Sequence, residues 1–142
     1  MEEPGIILTR EPYDDSAWRI RLEASNGEFA AALVFYIDGA SLLEFARRLS
    51  AFPKSIQDEV CFRLGSREGS WAYYLSLRAY VFNRSGHTAL EIEIDNREPG
   101  YCHARAAFPV AAETASLNEL GRKLAGWVER PGDPLVWRAR SS

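Results

Sequence analysis

The chain has 142 residues, 46% hydrophobic and 26% charged, with a formal net charge of −3. That length fits one folded domain, and the hydrophobic share is too high for a disordered chain. The acidic balance argues against a dedicated nucleic-acid binder, which carries a basic excess, and two cysteines are too few for a disulfide framework.

Met1-Glu2-Glu3-Pro4 lacks the basic start of a secretory signal. The longest apolar run, Phe29 to Ile37, is far shorter than the ~20 residues of a membrane span. A cytoplasmic location without membrane contact is therefore expected, with Cys61 and Cys102 as buried thiols in a reducing compartment. A single domain over 1–142 is expected, loose at 1–5 and 139–142.

In chain order, Ile6–Thr9 reads as a short first strand, and Glu11-Pro12-Tyr13-Asp14-Asp15 as a turn. Trp18 to Ala24 alternates, with Trp18, Ile20, Leu22 and Ala24 on one face and Arg19, Arg21 and Glu23 on the other. Asn26-Gly27 signals a hairpin. Its return strand, Phe29 to Ile37, is apolar on both faces and is expected to sit centrally. Ser41-Leu42-Leu43-Glu44 has the spacing of a capping box, in which the serine caps a free helix N–H and the glutamate reaches back. Leu42, Leu43, Phe45, Ala46 and Leu49 follow at helical spacing until Pro53.

A short strand is expected over 58–64, then a polar loop through Gly65 to Gly69. Trp71 to Asn83 reads as a long strand, with Trp71, Tyr73, Leu75, Leu77, Ala79 and Val81 on one side. Tyr74, Tyr80 and Phe82 lie on the other side. Arg84 to His87 turns the chain into Thr88–Asp95, where Leu90, Ile92 and Ile94 point inward and Glu91, Glu93 and Asp95 outward. Tyr101 to Val110 is the next expected strand, with Cys102, Ala104, Ala106 and Phe108 on one face. A second capping-box spacing, Ser116 to Glu119, opens a helix with the stripe Leu117, Leu120, Leu124, Trp127 and Val128. Pro131 to Pro134 stops it, and 135–138 forms a last edge strand. No internal repeat is read. The expected fold is α+β: a mostly antiparallel, curved sheet of six to eight strands, including a meander, with two helices packed on one face.

Chemistry-bearing residues are sparse. His87 sits in a turn with no paired nucleophile. Cys102 and His103, as strand neighbours, point to opposite faces and cannot easily share a metal. No catalytic residue, metal or cofactor is expected. Glu91, Glu93 and Asp95 share one sheet face, where Arg78 and Arg105 provide cross-strand partners. That row is either a solvated ladder or an acidic surface for a basic protein. Tyr74, Tyr80, Phe82 and His87 are the candidate lining of an aromatic pocket.

Four stretches carry a resemblance: Trp18-Arg19-Ile20-Arg21-Leu22-Glu23-Ala24, the helix end Phe45…Leu49…Phe52-Pro53, Gly86-His87-Thr88-Ala89-Leu90, and Leu117-Asn118-Glu119-Leu120-Gly121. In these the chain resembles small bacterial cytosolic α+β proteins, some of which look like immunity proteins that neutralise toxins of competing bacteria. The resemblance rests on turn and core residues and transfers no functional residue. It implies a toxin as one candidate protein partner.

The leading expectation is a non-enzymatic protein-binding domain, in the immunity-type case binding through Glu91, Glu93 and Asp95 with Arg78 and Arg105 setting register. Two alternatives stay open. One is a small-molecule module using the aromatic pocket. The other is a self-associating protein, a homodimer paired through an edge strand at 6–9 or 135–138.

Overall fold

The computed structural model describes residues 3–12, 17–65 and 73–141. Three strands, β1 (Gly5–Pro12), β2 (Trp18–Ser25) and β3 (Ala30–Ile37), lead into helix α1 (Gly39–Ser50). Four more, β4 (Glu59–Leu64), β5 (Tyr74–Val81), β6 (Thr88–Asp95) and β7 (Arg105–Ala111), lead into α2 (Thr114–Glu129). A short strand β8 (Leu135–Arg138) follows. Trp71 and the 66–69 loop lie outside the described residues, as do Tyr13 to Asp15 of the first turn.

The fold is α+β with antiparallel sheets, but there are two sheets rather than one curved one. Sheet A has the order β3-β2-β1-β8 and sheet B the order β4-β5-β6-β7. Each strand set has one apolar face, and two such faces bury each other with the helices. Leu8, Ile20, Leu22 and Phe35 from sheet A join Leu75, Leu90, Ile92 and Val110 from sheet B in one core. The expected meander is present as β5-β6-β7, extended by β4.

Two strand placements differ from the sequence reading. β3 is an edge of sheet A, not its centre. Leu33, Phe35 and Ile37 are buried, whereas Ala30, Ala32 and Tyr36 are exposed. The outward residues are apolar but small or hydroxylated, so the strand reads as buried on both faces when it is not. β1 is longer than expected and lies between β2 and β8, so 6–9 is not an edge, while 135–138 is. The strand expected from Tyr101 starts only at Arg105, after a 3-10 turn over Gly100–Cys102.

The registers expose an internal duplication. In sheet A Ser25 lies opposite both Gly5 and Ala30; in sheet B Asp95 lies opposite both Tyr74 and Arg105. Each sheet is a four-strand meander followed by a helix, and β8 supplies the first strand of the sheet A unit from the far end of the sequence. The helices keep the sequence trace. Ala40, Ser41, Leu42, Glu44, Arg47 and Leu49 recur in order as Ala115, Ser116, Leu117, Glu119, Arg122 and Leu124. The paired strands retain only their inward–outward pattern, so the repeat shows in the letters at the helices alone.

Neither serine is a helix cap. Asp38 caps α1, its Oδ1 accepting the Ser41 N–H at 2.9 Å, so Ser41 already lies in the first turn. Glu113 is the N-cap residue of α2, with no capping bond from its side chain, which faces Arg140 at 3.9 Å. Ser116 is fully buried; its Oγ accepts the Arg140 N–H at 3.1 Å and its carbonyl accepts the Trp137 indole N–H at 2.8 Å. A residue read as a local cap thus holds the C-terminal segment. The Pro4 carbonyl accepts the Ala139 N–H at 2.9 Å, and the Arg140 carbonyl accepts the Glu113 N–H at 2.7 Å. Pro4, Ala139 and Arg140 are therefore tied down, where the sequence reading has loose ends.

The helices pack against each other. Asn118 on α2 donates to the Leu49 and Phe52 carbonyls at 3.0 and 2.7 Å, tying α2 to the end of α1 and the residues after it. Phe45 of α1 packs on Phe62 of β4, and Trp127 of α2 meets Trp18 of β2 edge to face at 6.1 Å. Each helix thus rests on the sheet of the other unit.

Candidate functional site

The outer face of sheet B carries the expected charge row, and the structure pairs it internally. Arg78 lies opposite Glu91 and reaches it at 3.3 Å, and it bridges to Glu59 on β4 at 3.2 Å. Its guanidinium also sits 4.1 Å above the Tyr80 ring. Asp95 lies opposite Arg105. Its carboxylate meets His103 Nε2 at 2.9 Å, with Arg97 at 3.7 Å and Arg105 at 3.8 Å. Glu93 lies between these two groups on the same face. Glu91 and Asp95 are therefore held by neighbouring cations. This matches the ladder reading better than an open acidic surface.

Burial pushes the Asp95 carboxyl up, but the Arg97 N–H, His103 and the Arg97 charge outweigh it and hold the group below the usual carboxylate range. A depressed folded-state pKa contributes stability above the unfolded value and loses it as pH falls through the folded one. Asp95→Asn is therefore expected to be less stable than the parent at neutral pH. The gap should close as pH falls below about 4. Denaturant midpoints of both proteins across pH measure this; a gap that persists unchanged at low pH overturns the assignment.

The four aromatic-pocket candidates do not converge. Tyr74 is buried beside a cleft of about 330 Å³ lined by Glu93, Asp95 and Arg105. Tyr80 lies under Arg78. Phe82 and His87 stack on each other at 5.8 Å by a separate cleft of about 390 Å³, with Thr88 and Glu113. The His87 N–H donates to Asn83 Oδ1 at 3.1 Å, which is turn chemistry. Among the described residues no group of three or more His, Cys, Asp or Glu could hold a metal ion. The cysteines are not both buried: Cys61 is half-buried, its thiol pushed up by burial, and Cys102 is exposed in the 3-10 turn.

A different surface stands out on sheet A. The outward side chains of β3 are Ala30, Ala32, Val34 and Tyr36, an uncharged stripe with Tyr36 42% exposed. Phe29, 63% exposed, stands at its start. Arg19 lies opposite Tyr36 and Arg21 opposite Val34. Arg19 pairs with Glu11, and Arg21 reaches Glu23 at 3.9 Å, so charge lies beside the stripe and not on it. The turn feeding β3 is built by Asn26, whose Oδ1 accepts the Glu28 and Phe29 N–H groups, and by Gly27 at a φ of 96°. That positive φ favours glycine at the first position of a two-residue hairpin loop. The sequence shows the stripe only as a run of apolar letters. Its exposure follows from the strand's place at the sheet edge.

The backbone of the same strand has an open side. The Asn26 N–H donates to the Phe29 carbonyl at 3.0 Å, which sets the ladder so that Phe29, Ala31, Leu33 and Phe35 bond to β2. Ala30, Ala32, Val34 and Tyr36 point their N–H groups away. The Tyr36 N–H donates to the Tyr73 hydroxyl at 3.0 Å; beyond Ala30, Ala32 and Val34 no further strand lies among the described residues. The corresponding edge of β7 is closed. Pro109 stands at the position equivalent to Val34, without an N–H, and its carbonyl accepts from the Asn26 side chain at 3.3 Å.

No family model matches the chain, and no curated protein matches it. Among solved structures, one described as the plant transcriptional regulator PBF-2 aligns with 90% of this chain and 76% of its own, at 8% identity and a TM-score of 0.49. No helix among the described residues is long and apolar enough to cross a membrane.

Proposed function

We propose that this chain is a non-enzymatic protein-binding domain whose contact surface is the outer face of sheet A. The observation that carries the proposal is the exposed, uncharged stripe of β3, Ala30 to Tyr36, flanked by Arg19 and Arg21. Contact surfaces favour aromatic and arginine side chains around an apolar centre, and this face supplies both. On the outer face of sheet B, Arg78 is engaged with Glu91 and Glu59, and Asp95 with His103, which leaves less charge for a partner. In the narrower, immunity-type form of the proposal, the partner is a toxin and the stripe covers part of its surface.

A pull-down with the tagged protein at low and high salt tests this. One stoichiometric partner is expected, retained at high salt because apolar burial is not screened as exposed charge pairs are. A Tyr36→Ser/Arg21→Glu double variant should lose it, and Glu91→Lys/Glu93→Lys should keep it. A partner lost at high salt and on the lysine reversals would move the contact to sheet B. The absence of any partner would remove the proposal.

A further inference from the structure

We infer that the open backbone edge of β3 pairs with the same edge of a second copy of this chain, joining two A sheets into one across a two-fold axis. The inference concerns the strand edge, whereas the proposed partner uses the sheet's face, so either can fail without the other.

The fold first singles out this edge. The two units are duplicates, yet only one of their equivalent edges is closed to pairing. Pro109 removes the outward N–H on β7, and Asn26 occupies its carbonyl. Val34 occupies the matching place on β3 and keeps both groups.

The occupant follows from the shape of the open stretch. Tyr73 occupies the Tyr36 N–H at one end, and the Asn26 turn begins at the other. Between them the free positions are Ala30, Ala32 and Val34, and Ala32 is their centre. An antiparallel copy turned about Ala32 brings Ala32 opposite Ala32 and Ala30 opposite Val34. On the inner face it brings Ala31 opposite Leu33. Between residues 30 and 34 each larger side chain then meets an alanine, so this stretch is complementary to itself in size. Residues 29–37 carry no charge, so a two-fold axis brings no like charges together within the ladder. All three outward N–H groups find carbonyls at once, which a shifted register does not achieve.

The test is the oligomeric state of the full chain, by sedimentation and light scattering over a wide concentration range. The parent is expected to be a dimer. Val34→Pro copies the natural block of β7 without removing a bond to β2, and it should weaken dimerisation by at least about 30-fold. Unchanged circular dichroism would show that the fold survives. Ala32→Lys, which sets two charges opposite each other, should act in the same direction. In a Cys102→Ser background, Ala32→Cys should cross-link on oxidation, whereas a cysteine at the exposed Glu28 should not. A parent that stays monomeric at high concentration overturns the inference. So does a dimer that Val34→Pro and Ala32→Lys both leave intact. A monomeric parent that still captures a stoichiometric partner through Tyr36 and Arg21 overturns self-pairing while leaving the face reading in place.

Discussion

Trp137→Ala is expected to reduce the unfolding free energy by about 3–5 kcal/mol. Trp137 is only 1% exposed and lies opposite Ile6 on β1. Truncation loses the transfer energy of the indole and leaves a cavity between β8 and α2. It also strips the Ser116 carbonyl of its donor at 2.8 Å. Trp137→Phe separates these effects, because it keeps most of the ring volume and loses the hydrogen bond, for a cost of about 1–2 kcal/mol. Denaturant unfolding followed by far-ultraviolet circular dichroism measures both without depending on indole emission. A loss under about 1 kcal/mol for the alanine variant would mean that β8 is not integral to the core.

Gly121→Ala should be destabilising by about 2 kcal/mol, although helix propensity alone predicts a gain of about 1 kcal/mol. Gly121 lies within α2 at its crossing with α1. A Cβ there would stand 2.6 Å from the Ser50 nitrogen and 2.8 Å from the Ala46 carbonyl oxygen. Both are backbone atoms of a helix and cannot swing aside, so the helices must separate. Gly126, in the same helix, has nothing within 4 Å of an added Cβ. Gly126→Ala should therefore stabilise by about 0.5–1 kcal/mol. The two substitutions share one chemistry and one helix, and their opposite signs isolate the crossing. Equal effects at both positions would show that propensity governs and the close approach does not.

Much of the architecture can be read from the letters. β2 and β6 alternate cleanly, and both helices show their stripes, because one face of each meets water and the other the core. Sheet membership is not visible in this way. Pairing between β1 and β8 joins opposite ends of the sequence, and no local pattern records it. The helix caps depart from the capping-box spacing for a related reason. Ser41 and Ser116 sit at capping-box spacing from Glu44 and Glu119, yet Asp38 and Glu113, three residues earlier, begin the helices. The duplication was open to inspection: Ala-Ser-Leu followed by glutamate two residues on stands at the head of both helices. At the candidate site, the cross-strand partners Arg78–Glu91 and Asp95–Arg105 follow from alternation and strand order. The exposed stripe of β3 does not, since alanine and valine look alike in a core and at an edge.

The position of β8 also sets an order on events while a ribosome makes the chain. Sheet B is contiguous, and its last strand is available as soon as residue 111 has emerged. Sheet A is not. Its strand β1 is made before the other strands described, yet its outer neighbour is Leu135–Arg138. Until those residues emerge, β1 carries an unpaired edge bearing Ile6 and Leu8, and the pocket for Trp137 is empty. Between the emergence of residue 111 and that of β8 the older half is thus incomplete while the younger half can close, an interval in which that edge is open to chaperones or to other nascent copies.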